Sequence, residues 1–88
     1  MKKELNFETT NATYYYRQFE KEELTARYDS RKSFYKKAFI IFYDKNTLLL
    51  QSYDTIVAHI YKGKFTSYGK YSQTTSRHQR EFEKQFAN

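Results

Sequence analysis

Between residues 38 and 61 the chain carries three apolar runs, AFIIFY, TLLLQS and TIVAHIY, separated only by DKN and by a Tyr-Asp pair. Connections this short join antiparallel neighbours, because a parallel crossover needs a dozen residues or more. AFIIFY is continuously apolar, as in a central strand. In TIVAHIY, strand alternation puts Ile56, Ala58 and Ile60 on one face and Thr55, Val57, His59 and Tyr61 on the other. KGK (62–64) is a hairpin signal, with Gly63 supplying a positive φ, and FTSYG (65–69) is the expected last strand. Upstream, Leu24, Ala26 and Tyr28 alternate with polar residues and predict a further short strand.

The two ends of the chain read as helices. Thr9, Thr10 and Asn11 are residues that accept bonds from free N–H groups of a first turn. Ala12, Tyr15, Tyr16 and Phe19 follow at helical spacing, and the helix is expected to end in EKEE (20–23). At the other end, Ser72 or Thr74 caps a helix whose Thr75, His78, Phe82 and Phe86 recur every three or four residues. The expected fold is α+β: an antiparallel sheet of about five strands flanked by an N-terminal and a C-terminal helix, with both helices on one face. With 88 residues, residues 1–88 form one domain. A chain of that size buries only about 60–65% of its unfolded surface, so rings matter. It has ten Tyr, eight Phe and no Trp, and tyrosine suits both a core edge and a contact surface.

Charge is uneven. The net value is +6, but residues 24–45 carry six basic and two acidic groups, and residues 55–80 carry five basic and no acidic ones. Such a field attracts nucleic acid or an acidic protein face. Without cysteine there is no disulfide framework, no apolar run is long enough to span a bilayer, and MKKELNF lacks a signal-peptide core. The chain is therefore expected to be cytoplasmic, with no membrane partner, no metal and no cofactor. Catalysis is poorly supported. His59 and His78 have no partnered spacing, and Asp29, Asp44 and Asp54 stand apart in turn-like places.

Two dense stretches remain. YDSRKSFYKKAF (28–39) interleaves Arg31, Lys32, Lys36 and Lys37 with Phe34 and Tyr35, the elements of single-strand binding. YSQTTSRHQREF (71–82) places Arg77, His78 and Arg80 early in a helix, where positive charge costs a few tenths of a kcal/mol, on the order of 0.3 or more. Those side chains therefore have a partner: Asp29 or Asp54 in a structural ion pair, or an external phosphate.

FETTNATYYYRQF, YDSRKSFYKKAF, LQSYDTIVAHI and YSQTTSRHQREF together resemble a family of small, uncharacterised proteins carried by phages, plasmids and other mobile elements. The similarity runs in the same order over nearly the whole chain. It matches Tyr28, Asp29, Ser30, Arg31, Ser33, Phe34 and Tyr35, then Tyr53 and Thr55, then Ser72, Thr74, Thr75, Arg77, His78 and Phe82. Members often carry glycine where this chain has Lys36. The resemblance carries no activity. It implies a small accessory protein in a bacterial host cytoplasm. In that setting the expected function is a non-enzymatic basic binding protein, an inhibitor of a host defence nucleoprotein of anti-CRISPR type. It would grip an acidic effector protein or its nucleic acid. A plain DNA- or RNA-binding accessory protein is the alternative, and a small hydrolase or nuclease using His78 with Asp29 or Asp54 the second. The candidate partner or nucleic-acid-binding residues are Arg31, Lys32, Tyr35, Lys36, Lys62, Lys64, Lys70, Arg77, His78 and Arg80. A homodimer is open to a twisted sheet with free edges.

Overall fold

The short turns bring the apolar runs into one antiparallel sheet. The computed structural model describes residues 6–29, 34, 36–69 and 71–87. Among these, the elements are α1 (Ala12–Tyr15), β1 (Glu20–Glu23), β2 (Ala38–Asp44), β3 (Thr47–Ser52), β4 (Thr55–Tyr61), β5 (Lys64–Ser67) and α2 (Gln73–Phe86). The strands pair in sequence order, β1-β2-β3-β4-β5, every neighbour antiparallel. The fold class is α+β, as the sequence predicts.

β3 is the central strand, and both its faces are buried: Leu48 and Leu50 point one way, Thr47 and Leu49 the other. That is why its run is apolar without alternation. The β4–β5 hairpin turns on Lys62 (φ 51°) and Gly63 (φ 84°), the two positive angles of a hairpin turn that matches strand twist. The β3–β4 turn is equally tight, with Tyr53 at φ 58° between paired Ser52 and Thr55. Lys36, just before β2, has φ 60°. A glycine there would adopt that angle without steric cost.

Four local expectations fail, each for a reason local patterning does not see. The N-terminal helix is a single turn; EKEE is not its end but an edge strand, with Glu20 opposite Phe42 and Glu23 opposite Phe39. Its side chains are almost wholly charged, which suits an edge that must not recruit another strand. Residues 24–28 do not form a strand: pairing stops after the Leu24 N–H donates to the Ala38 carbonyl. In β4, a bulge opposite Leu50 and Gln51 inserts Val57. Val57, Ala58 and Ile60 therefore share one core cluster, while Ile56 joins the other. Lastly, the two helices lie on opposite faces.

On one face, α2 covers Ile40, Leu50, Val57 and Ile60 with Phe82, which is fully buried. Burial of a ring of that kind contributes about 2–3 kcal/mol. The other face is covered by the irregular arm of residues 6–19. Ala12, Phe7, Tyr16 and Phe19 lie with Tyr43 and Tyr68 over Ile41, Leu49 and Ile56. The arm is tied down by a two-residue bridge of Thr9 to Ile56 and by the Ala12 N–H, which donates to the Asp54 carbonyl at 2.9 Å.

Candidate functional site

α2 begins where the sequence predicts. Ser72 is the N-cap, its Oγ accepting from the Thr75 N–H at 3.1 Å, which satisfies one of the helix's free donors. From that cap a chain of hydroxyls runs into the core. Ser72 Oγ donates to Thr75 Oγ1 (3.2 Å), Thr75 Oγ1 lies 2.9 Å from Ser52 Oγ, and Ser52 Oγ lies 2.8 Å from His78 Nδ1. The chain ends at Nδ1, where Ser52 Oγ or the ring nitrogen donates according to the imidazole's tautomer. Burial pushes the His78 pKa down to about 4, against a smaller upward pull from Asp29. The residue is 0% exposed, Nε2 has no hydrogen-bond partner among the described residues, and the ring stands edge-on to Phe34 at 4.6 Å. His78 thus belongs to the interior and is not a surface group for a partner or a substrate.

One turn further on, Glu81 does something the sequence did not announce. Its carboxylate is 2% exposed and accepts from three successive backbone N–H groups. Arg27 donates at 3.0 Å, Tyr28 at 2.9 Å and Asp29 at 2.9 Å, and Gln85 Nε2 adds a fourth bond at 2.5 Å. Consecutive N–H groups turned inward make a nest for an anion, and here the anion is the protein's own. These bonds are also why residues 27–29 leave the sheet: their donors point at α2. The available signal was positional, since Glu81 lies three residues after His78 on the stripe that Phe82 shares, a charge on the buried side of a helix.

Beside it, Arg77 Nη1 lies 3.8 Å from Asp29 Oδ1. The arginine early in the helix therefore meets Asp29. Asp54 serves the other face, its Oδ1 accepting from the Thr13 N–H at 2.8 Å, and that bond holds its pKa below the ordinary carboxylate range. Arg77, Arg80 and Lys84, spaced by three and four, form one outward stripe of α2. With Tyr28, Asp29 and Glu81 they line a groove of about 160 Å³. Arg80 and Lys84 are exposed, Arg77 is about one-third exposed, and Tyr28 is 60% exposed. Glu81 faces the inward bonds and Asp29 faces Arg77, which leaves Arg80 and Lys84 as the cations turned to solvent.

The other predicted residues divide. Arg31, Lys32, Tyr35 and Lys70 lie outside the described residues. Phe34, read as a possible stacking ring, is buried in the core. Lys36 is exposed, and its backbone N–H donates to Glu23 Oε2 at 3.1 Å. Lys62 and Lys64 flank the β4–β5 turn, at the opposite end of β4 from Ser52 and the start of α2, about 20 Å of strand away. The structure thus joins Arg77 and Arg80 with Lys84 and leaves Lys62 and Lys64 apart. No group of three or more potential metal ligands occurs among the described residues, and no helix among them is long and apolar enough to cross a membrane.

The fold and this groove define a small α+β protein with a basic helical face. The chain belongs to a family of unknown function (DUF8033), whose model matches residues 22–88. The match takes in α2, its groove and β2 to β5, whereas residues 1–21 fall outside it. No curated protein and no solved structure matches the chain.

Proposed function

We propose that the protein acts by binding, without catalysis, and that the outer stripe of α2 engages phosphates of a nucleic-acid-bearing partner. One observation carries the reading. Arg80 and Lys84 stand exposed beside the exposed Tyr28, while Asp29 and Glu81 are drawn inward by Arg77 and by backbone N–H groups. The groove is consequently cationic toward solvent although its lining holds two carboxylates. Arginine and lysine in a row beside a ring are suited to a phosphate chain, whose binding is dominated by charge.

In the mobile-element setting that the resemblance implies, such a partner is a host defence nucleoprotein in the bacterial cytoplasm, held by its guide or target strand and inhibited in the anti-CRISPR manner. Acidic mimicry of DNA does not suit a chain of net charge +6. A plain nucleic-acid-binding role is the second reading, favoured by the tyrosines the surface exposes. The hydrolase reading requires a reachable imidazole, and His78 is enclosed.

The test is retention of the protein on immobilised DNA and RNA, with affinity falling steeply as salt rises. Arg80→Ala with Lys84→Ala is expected to weaken retention about tenfold or more and to leave Tm within a few degrees, since neither side chain is buried. Unchanged retention in that variant overturns the assignment to α2. Pull-down from a bacterial lysate with and without nuclease separates the readings: a protein effector that survives nuclease favours the inhibitor, and nucleic acid alone favours simple binding.

A further inference from the structure

We infer that the end of the sheet at the β3–β4 turn is a stacking site for the bases of single-stranded nucleic acid, with Tyr14 and Tyr15 on the arm side of that end and Tyr53 on its α2 side. The inference rests on the nucleic-acid reading above and deepens it, from phosphate attraction to a preference for unpaired strands. Nothing in the sequence brings residues 14 and 53 together; the tight turn does. Asp54 holds the start of α1 through two bonds, its carbonyl to the Ala12 N–H and its carboxylate to the Thr13 N–H. Gln51 Nε2 donates both to Thr13 Oγ1 (3.2 Å) and to the Tyr53 carbonyl (2.8 Å). On the other side, the Tyr53 N–H donates to the Lys37 carbonyl at 2.7 Å. The single turn of α1, the β3–β4 turn and the start of β2 are thereby fixed at one end of the molecule.

Three observations set this end apart. The first is exposure. Tyr14, Tyr15 and Tyr53 are 61%, 62% and 51% exposed, more than packing of a core edge would leave. Tyr14 and Tyr15 meet edge-to-face at 5.3 Å, which presents two ring surfaces in a fixed geometry. The second is the cations. Arg17 lies over the Tyr14 ring at 4.4 Å and is pinned there by its bond to the Tyr14 carbonyl at 2.7 Å. Lys37 Nζ lies 6.0 Å from the Tyr53 ring, and Lys36 is its exposed neighbour. The acids nearby are engaged: Asp54 with Thr13, and Glu23 with the Lys36 N–H. The third is backbone strain. Tyr53 holds a left-handed φ of 58°, a conformation that glycine or asparagine adopts more readily than a bulky ring. A ring kept at such a position, half in solvent, is better explained by contact than by packing.

Rings beside cations are what unpaired strands require: charge follows the phosphates and each base finds a π-face. In a duplex the faces of the bases are occupied by their neighbours, so a platform of this kind discriminates by strandedness more than by sequence. The Tyr53 ring also lies 6.1 Å from that of His78, on the α2 side of the sheet.

The experiment is fluorescence anisotropy with labelled oligo-dT of about 20 nucleotides and a duplex of equal length, at matched salt. The wild type is expected to bind the single strand more tightly. Tyr14→Ala, Tyr15→Ala and Tyr53→Asn together are expected to weaken oligo-dT binding by roughly 30-fold or more and duplex binding by less than about threefold. Asparagine relaxes the left-handed position, and Tyr15→Ala alone, at a largely exposed ring, supplies a second variant should the triple one fold poorly. The matching phenylalanine series, which keeps the rings, is expected to retain wild-type affinity. Unchanged oligo-dT affinity in the alanine and asparagine series overturns the platform, as does an equal loss on the duplex. Failure of the wild type to bind either oligonucleotide overturns the nucleic-acid reading itself. Binding lost in the Arg80 and Lys84 variant but indifferent to the tyrosines leaves that reading intact and removes only this inference.

Discussion

The two faces of the sheet are covered in different ways. On one, α2 arrives as a regular helix and turns side chains to the sheet: Phe82 for packing, Thr75 and His78 for the Ser52 hydroxyl, Gln79 for the Val57 carbonyl, which also accepts from the Tyr68 N–H. On the other, the arm lacks regular structure and must borrow. Its Phe7 N–H donates to the Tyr68 hydroxyl, its Thr9 pairs with Ile56, and α1 leans on Asp54. The Tyr68 hydroxyl in turn lies 2.5 Å from His59 Nδ1, so it links Phe7 to His59 within a cluster of rings. The comparison teaches that the helical face carries one longer buried polar chain, from Ser72 to His78, whereas the arm's face carries shorter links among its rings, Phe7 to Tyr68 to His59 and Thr13 to Gln51. The family match follows the same division, since it spans the whole helix and none of the arm before residue 22.

If that division is right, the most damaging single polar substitution lies on the helical face. Glu81→Ala leaves the N–H groups of Arg27, Tyr28 and Asp29 without their shared acceptor. The expected loss is at least about 3 kcal/mol in urea unfolding, each buried orphan donor costing about 1–3 kcal/mol. A loss below about 1 kcal/mol would mean that the nest is filled by water and that the network reading is wrong.

Acid comes next, because both faces bury a neutral histidine. Burial lowers the pKa of His59, and that of His78 to about 4, each from an ordinary value of 6.5. In the unfolded chain both bind protons below pH 6.5, whereas the folded state resists doing so. Their contribution is therefore complete above that value and is lost as pH falls toward the folded pKa. For His78 the loss between pH 6.5 and pH 4 is at most about 3 kcal/mol, after which the slope flattens. NMR titration of the two imidazoles checks this directly. A His78 ring that titrates near 6.5 would mean that the α2 network is open to solvent.

The smallest effect belongs to the arm. Tyr68→Phe removes the acceptor for the Phe7 N–H and the donor to His59 while keeping the ring, and is expected to cost about 1 kcal/mol in thermal unfolding. A cost as large as that of Glu81→Ala would erase the contrast between the two faces.

What the sequence disclosed follows the same line. β2 to β5, both tight turns after them and the cap of α2 are legible because each rests on local pattern: apolar runs, Gly63, and Ser72 three residues before Thr75. β1 was misread because EKEE has no apolar side chain and becomes a strand only through donors and acceptors that β2 lends it. Val57 was assigned to the wrong face because a bulge shifts alternation by one, and its cause is the partner strand's register. The site was half legible. Arg77, His78 and Arg80 were singled out as charges in search of a partner, with Asp29, Asp54 and an external phosphate as the candidates. Glu81 and Lys84 were not, since a carboxylate inside a helix looks like any surface glutamate until residues 27–29 fold against it.

That carboxylate has a consequence for how the loop can change over time. Glu81 holds residues 27–29 by their amide groups, and none of the three bonds reads a side chain. Arginine, tyrosine and aspartate at these places are thus exchangeable as far as the anchor is concerned, with proline, which lacks the N–H, the one residue it rejects outright. The stretch carrying Tyr28 and Asp29 toward the basic residues after them can be rewritten without being detached. A chain under pressure from a changing partner would keep its scaffold and vary its grip.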